Sequence, residues 1–318
     1  MKATFLDLAS IHPDDLDLTP LHALADEWVW RDNTACDELA DAIAGFDIVV
    51  TNKVVLDAAA FASADALRLV CAAATGVNNI DLKAAAGAGV TVCNARAYAT
   101  PAVVQHVFAM LLSLTTQLER YRKDVMQGQW SQSEFFCLLD HPIRELSGLS
   151  MGIVGYGELG KAVAETARAF GMSVLIAKRD DDDDRPGRVA LEEVLREADV
   201  LSLHCPLTSQ TRGMIGAEQL AMMKPDAILI NTARGGLVDE HALHEALKQG
   251  GIGGAALDVL EQEPPQRDHV LLQQEQANLI ITPHTAWASR QARQRVVEEI
   301  AANISAFTAG RPRNVVID

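Results

Sequence analysis

Three residues in the second half of the chain carry side chains that together could hold a small anionic substrate and move a proton on it. Arg234 closes the run Ala-Ile-Leu-Ile-Asn-Thr-Ala, Glu263 lies just beyond the apolar stretch Gly254–Val259, and His284 closes Asn-Leu-Ile-Ile-Thr-Pro. A guanidinium holds a carboxylate through its planar fork and stays charged at any working pH. An imidazole gives and takes a proton near neutrality. A carboxylate bonded to that ring would fix its tautomer and favour its protonated form. Each residue follows a β-type run, and in a doubly wound sheet the carboxyl ends of the strands open on one crevice where ligands bind. Each also has a plainer reading: Arg234 in a surface ion pair, His284 as a satisfied strand-end histidine, and Glu261 in place of Glu263 within Glu-Gln-Glu-Pro.

Upstream lies the turn Gly155-Tyr156-Gly157-Glu158-Leu159-Gly160. An apolar run, Met151 to Val154, precedes it, and helical spacing at Leu159, Val163, Ala167 and Phe170 follows, closed by Gly171. In a dinucleotide fold the first glycine allows the tight turn, the second lets backbone approach a pyrophosphate, and the third lets the helix pack on the strand. The helix N-terminus then offers free N–H groups to the phosphates. A lone glycine motif is weak, but strand before, helix after and a second strand at Ser173–Ala177 support a dinucleotide site. Cys205-Pro206, at the end of another strand, is expected beside the nucleotide. A catalytic thiol is the sharper reading of Cys205, but no base stands near it in sequence. His106 and His204 read as packing or hydrogen-bonding residues.

The elements that must position these residues form two groups. Before residue 100, strand candidates Ala3–Leu8, Asp47–Thr51, Arg68–Ala73 and Val90–Cys93 alternate with alanine-rich helical stretches. From residue 151, six strands are expected: Met151–Gly155, Ser173–Ala177, Val200–Cys205, Ala227–Thr232, Gly254–Leu257 and Leu279–Thr282. Alternation of strands and helices implies parallel pairing. Thr100-Pro101 starts a long apolar helix to Leu118, suited to burial between domains, with a second helix at Tyr121–Trp130. A final helix, Ser289–Thr308, is expected to return to the first group. The fold class expected is therefore α/β: two doubly wound parallel-sheet domains, a Rossmann cofactor domain over 100–286 and a smaller flavodoxin-like substrate domain made of 1–99 and 287–318, with the active-site cleft between them.

The chain has 318 residues and a formal net charge of −16. That charge argues against binding to nucleic acid or to an anionic membrane surface, so an anionic substrate must be captured by local positive charge. Five cysteines without a CxxC pair fit a reducing compartment. No stretch of 18 apolar residues exists and the N-terminus lacks a signal-peptide pattern. A cytoplasmic, soluble protein without a metal site is expected.

The order and spacing of four motifs resemble the D-isomer-specific 2-hydroxyacid dehydrogenases. These are Gly155–Gly160; Asn231-Thr-Ala-Arg234-Gly-Gly-Leu-Val-Asp239; Ala256-Leu-Asp258 with Glu263-Pro264; and Thr282-Pro-His284. Local strings such as Phe136-Cys-Leu-Leu-Asp140 and His284-Thr-Ala-Trp287-Ala-Ser289 are similar to the glycerate dehydrogenase and hydroxypyruvate reductase branch. The resemblance implies NAD(P)-dependent reduction of a small 2-keto acid, hydroxypyruvate or glyoxylate, to the D-2-hydroxy acid. Arg234, Glu263 and His284 would be catalytic. Asp258 would contact the nicotinamide carboxamide, with Thr232 and Ala233 lining the cofactor. Thr75, Gly76 and Val77 would form the loop that holds the substrate carboxylate, and Trp287 would close the pocket or serve as an interdomain aromatic. A homodimer with the long helix near its interface is implied too. A phosphoglycerate dehydrogenase-like enzyme and a non-catalytic, nucleotide-gated corepressor-like protein are the rival readings.

One departure concerns the cofactor. NAD-specific relatives carry an acid at the end of the second strand for the ribose 2′-OH; here stand Lys178 and Arg179. Two cations suit a 2′-phosphate, so NADP(H) is expected ahead of NAD(H). The run Asp180–Asp184 opposes a phosphate unless it is a solvated loop pointing away.

Overall fold

The strands carry near-continuous apolar runs, as parallel strands covered on both faces must, and they assemble into two separate sheets. The structure is a computed structural model that describes every residue except 181, 274, 275, 317 and 318. The chain forms two units, Met1–Ala99 with Trp287–Asp318, and Thr100–Ala286.

The first unit holds five parallel strands: β1 Lys2–Phe5, β2 Glu27–Trp30, β3 Ile48–Thr51, β4 Leu69–Ala72 and β5 Thr91–Cys93. Their order is β2-β1-β3-β4-β5, the flavodoxin-like order. Its core is built from Leu6, Val49, Val70 and Val92 with Ile43, Phe61 and Ala85 from the helices. Asp57 and Asp81 cap the helices Ala58–Ser63 and Leu82–Gly87, each accepting an amide three residues on at 2.9 Å. Strand β2 was not expected from the sequence. It is an edge strand of four residues whose Trp28 and Trp30 stack at 4.5 Å on one face.

The second unit holds seven parallel strands: β6 Ser150–Val154, β7 Ser173–Ala177, β8 Arg188–Val189, β9 Val200–Leu203, β10 Ile228–Asn231, β11 Gly254–Leu257 and β12 Leu279–Ile281. The order β12-β11-β10-β9-β6-β7-β8 reverses between β6 and β9, which is the doubly wound dinucleotide topology with one strand added. The sequence reading lacked only β8, a two-residue strand that pairs Arg188 with Ile176. The long helix runs Thr100–Thr116 and breaks at Gln117, whose backbone is left-handed; Leu118–Met126 continues at 59°. Within this unit the first of these helices packs on the sheet and on the helix Glu158–Ala169, with Phe108 stacked on Phe170 at 5.2 Å. No single helix among the described residues is long and apolar enough to cross a membrane.

Candidate active site

Strand β6 delivers the glycine turn to the point where the strand order reverses. Gly155 has φ +91°, and a Cβ there would sit 2.5 Å from the Cys205 amide nitrogen beyond β9. A Cβ at Gly160 would collide with the Gly155 carbonyl, whereas at Gly157 it would meet nothing. The turn is thus packed tight on its inner side and open on its outer side. Gly157 is the N-cap of the helix that begins at Glu158, so free amides face that open side. Leu159 continues the first turn, and Glu158 accepts the Thr100 hydroxyl.

The residues beyond β9 are closely held. The Thr211 hydroxyl donates to the Pro206 carbonyl at 2.7 Å. The Cys205 sulfur lies 3.8 Å from that of Met214, and burial raises its thiol above the usual range, so nothing activates it as a nucleophile. His204 Nε2 stands 2.8 Å from the Ser202 hydroxyl, and burial pushes the ring down to about 4.

At the end of β7, Lys178 donates its amide to Val189 at 2.8 Å, and no carboxylate partners its ammonium among the described residues. The Arg179 guanidinium donates to Asp180 at 2.7 Å. The acidic run is not simply a solvated loop. Asp183 is buried, accepting the Arg179 amide at 2.9 Å and a forked pair of bonds from Arg185 at 2.5 and 2.6 Å. Arg185 holds this carboxyl well below its usual range. Arg188 approaches the same carboxylate at 3.9 Å and lies over the Tyr156 ring, 5.1 Å from its centroid. Asp183 folds inward because the guanidinium groups of Arg185 and Arg188 and the Arg179 amide converge on it. Asp181 lies outside the described residues.

Strand β10 ends at Asn231, which is 1% exposed and ties the next turn together. Its side-chain oxygen accepts the Ala233 amide at 3.0 Å and its nitrogen donates to the Arg234 carbonyl at 2.9 Å. Arg234 donates Nη1 to the Ala233 carbonyl at 2.6 Å, and the rest of its fork has no partner among the described residues. The Thr232 hydroxyl is buried with no hydrogen-bond partner among the described residues. A buried polar atom in that state costs free energy, so a ligand group fits there. With the open face at Gly157, this is the cradle that a dinucleotide requires.

Next to that turn, a Cβ at Gly235 would collide with the Leu260–Glu261 peptide, so only glycine lets the Arg234 turn lie against the loop after β11. That loop closes on itself: Glu263 Oε1 accepts the Leu260 amide at 2.9 Å. The other oxygen, Oε2, stands 2.6 Å from His284 Nδ1. Glu261 points elsewhere and pairs with Arg212 at 2.8 Å, which leaves Glu263 as the ring's partner. The His284 and Glu263 side chains are 31% and 35% exposed, and the Nε2 of His284 has no partner among the described residues.

His284 has φ 54°, an unusual backbone for a non-glycine residue. Asp258 supports it. The Asp258 carbonyl accepts the His284 amide at 2.8 Å, while its carboxylate takes the Thr285 and Ala286 amides at 2.9 and 2.8 Å and the Thr282 hydroxyl at 2.5 Å. His106, from the long helix, stands 2.9 Å from the same hydroxyl and 3.4 Å from the carboxylate. Burial pushes the Asp258 carboxyl up, but the bonds from His106, Thr282, Ala286 and Thr285 outweigh it and leave it lowered. With 1% exposure, that carboxylate is spent within the turn. The sequence offered no sign of this, since the network joins three separate segments.

In the first unit, Thr75–Val77 leave the end of β4. The Thr75 hydroxyl donates to the Ala95 carbonyl at 2.9 Å. Trp287 packs edge-on to Tyr98 with ring centroids 6.4 Å apart.

Comparison with known proteins identifies the family. A family profile described as "D-isomer specific 2-hydroxyacid dehydrogenase, NAD binding domain" matches residues 108–286. The chain is 43% identical to a glycerate dehydrogenase of Methylorubrum extorquens over 316 residues, covering 99% of this chain and 98% of the relative. It is 36% identical to a hydroxypyruvate reductase of Blautia hydrogenotrophica over 323 residues, with 99% of both chains covered. Among solved structures, a D-lactate dehydrogenase from Aquifex aeolicus in complex with NAD and lactic acid superposes with a TM-score of 0.83 at 28% identity, covering 100% of this chain and 99% of that one. The chain belongs to the D-isomer specific 2-hydroxyacid dehydrogenases, oxidoreductases that use a nicotinamide cofactor.

Proposed function

We propose that the protein reduces a small 2-keto acid, hydroxypyruvate or glyoxylate, to the D-2-hydroxy acid, and catalyses the reverse reaction. The observation that carries this reading is the 2.6 Å contact between His284 Nδ1 and Glu263, on the loop against which the Arg234 turn packs, with Nε2 left without a partner among the described residues. Arg234 holds the substrate carboxylate and polarises its carbonyl. Glu263 fixes the ring so that Nε2 carries the exchangeable proton. His284 donates that proton to the carbonyl oxygen in reduction and removes it in oxidation. The nicotinamide supplies or accepts the hydride. Asp258 acts by holding the turn that presents His284, rather than by touching the nicotinamide. In the first unit, the amides of Gly76 and Val77 take the substrate carboxylate, and Trp287 with Tyr98 lines the approach.

The nucleotide would be held by Gly155–Gly160, Cys205-Pro206, Thr232 and Ala233. We favour NADP(H), with NAD(H) also used. Among the described residues Lys178 is the strand-end cation without a carboxylate partner, and Asp183, the buried acid of the run, is already neutralised by arginine. We further propose a cytoplasmic homodimer. Five free cysteines suit a reducing compartment. Leu118, Val125, Met126, Trp130, Phe136 and Leu139 leave a broad apolar face on the second unit, which a second copy would cover. The reading is tested by incubating the protein with hydroxypyruvate and either NADPH or NADH. D-Glycerate as the only enantiomer, formed with higher kcat/KM on NADPH, is the expected result. L-Glycerate, or no product with either cofactor, would refute it.

A further inference from the structure

Just past strand β5 stands Asn94, a polar residue that is 6% exposed where its neighbours Val92 and Cys93 are apolar. All its polar groups are occupied. Its Nδ2 donates to the Thr75 carbonyl at 2.7 Å, and its Oδ1 accepts from Arg96 Nε at 3.2 Å. Its amide donates to the Asn314 carbonyl at 3.1 Å, and its carbonyl accepts from Asn303 Nδ2 at 3.0 Å. Asn303, fully buried on the helix Arg290–Thr308, accepts in turn from Asn314 Nδ2 at 3.1 Å, and Glu299 Oε2 holds the same nitrogen at 2.9 Å. The chain after that helix thus lies along β5, with Val316 donating to Val92 at 2.9 Å.

The bond to Thr75 has a directional consequence. In a trans peptide the carbonyl and the following amide point to opposite sides. Holding the Thr75 carbonyl against Asn94 therefore fixes the direction of the Gly76 N–H. The Thr75 hydroxyl on Ala95 and the Ala95 amide on Ala74, at 3.0 Å, pin the same stretch twice more.

We infer that Asn94 is a positioning residue for the substrate: it aims the Gly76 amide at the substrate carboxylate and is itself braced by the buried Asn303 and by Asn314. This rests on the reading of Thr75–Val77 as the carboxylate loop. A misaimed donor weakens carboxylate binding without touching the proton or hydride. Asn94→Ala is expected to raise KM for hydroxypyruvate and the Kd for oxamate, an unreactive carboxylate analogue, by about tenfold each. Meanwhile kcat and the NADPH Kd stay within about twofold. Asn94→Ser, too short to reach the Thr75 carbonyl, serves if the alanine variant does not fold and should behave alike. Thr75→Val removes the hydroxyl pin at constant shape and tests the loop itself. If Thr75→Val weakens oxamate binding but the Asn94 variants do not, the inference fails and the loop reading stands. If the wild type turns over hydroxypyruvate and neither change moves oxamate binding, both fail. A loss of kcat and melting temperature with unchanged oxamate affinity would make Asn94 a merely structural residue and overturn the inference.

Discussion

At the scale of single residues, the account assigns separable duties, and separable kinetics follow. Arg234→Lys keeps the charge but loses the fork, so KM for hydroxypyruvate should rise at least tenfold, with a smaller loss in kcat. Unchanged steady-state constants would remove Arg234 from the site. Glu263→Gln keeps the shape but cannot hold the ring as an anion; kcat should drop about 10- to 100-fold while NADPH affinity, read by fluorescence titration, is retained. Asp258→Asn puts an amide donor among the Thr285 and Ala286 amides. It should lower kcat through the His284 turn, again without weakening the dinucleotide; a selective loss of nicotinamide binding would instead make Asp258 a cofactor contact. Arg234, Glu263 and His284 stand out in the sequence because each ends or closely follows an apolar run. The choice of Glu263 over Glu261 needed a resemblance there; in the structure Glu261 turns to Arg212. The Asp258–Thr282–His106 network was illegible, since it brings together positions 106, 258 and 282 that no local pattern links.

At the scale of elements, strand β6, its turn and the following helix were readable end to end, because one apolar run, three glycines and a helical period follow each other without a gap. Gly160→Ala should cost about 1–3 kcal/mol through the clash with the Gly155 carbonyl and should abolish tight NADPH binding; a normal melting temperature and affinity would show that the turn is looser than described. Strands β2 and β8 were missed for different reasons. The first is a short edge strand whose signal is two tryptophans, and the second has only two residues behind the acidic run. In that run, composition suggested solvent, but Asp183 is drawn inward by arginines too close in sequence for charge counting to sort. The strand β9 end gives a pH prediction. His204 is buried neutral, with its ring pushed down to about 4 from an ordinary 6.5. Below pH 6.5 the unfolded chain takes up a proton that the folded one refuses. Stability should therefore be full above 6.5 and fall as pH drops towards 4. His204→Asn should flatten this part of the melting-temperature profile; an unchanged slope would assign it to other groups.

For the whole molecule, parallel pairing in two sheets was anticipated by the alternation of strands and helices, whereas the exposed apolar residues around Phe136 were not, because residues 131–147 have no periodicity. If a second copy covers them, the 34.2 kDa chain should sediment at twice its mass, and Phe136→Asp should shift it to monomer; a monomeric wild type would remove the dimer. The central claim is that the protein is a reductase whose proton passes through His284. It is tested most directly by oxidation of NADPH with hydroxypyruvate, comparing wild type with His284→Asn at one pH and measuring NADPH affinity in both. The account predicts turnover in the wild type, a loss of about a thousandfold in kcat in the variant and equal affinity for the dinucleotide. Wild-type protein that binds NADPH without turnover, or a variant that keeps its rate, would contradict it.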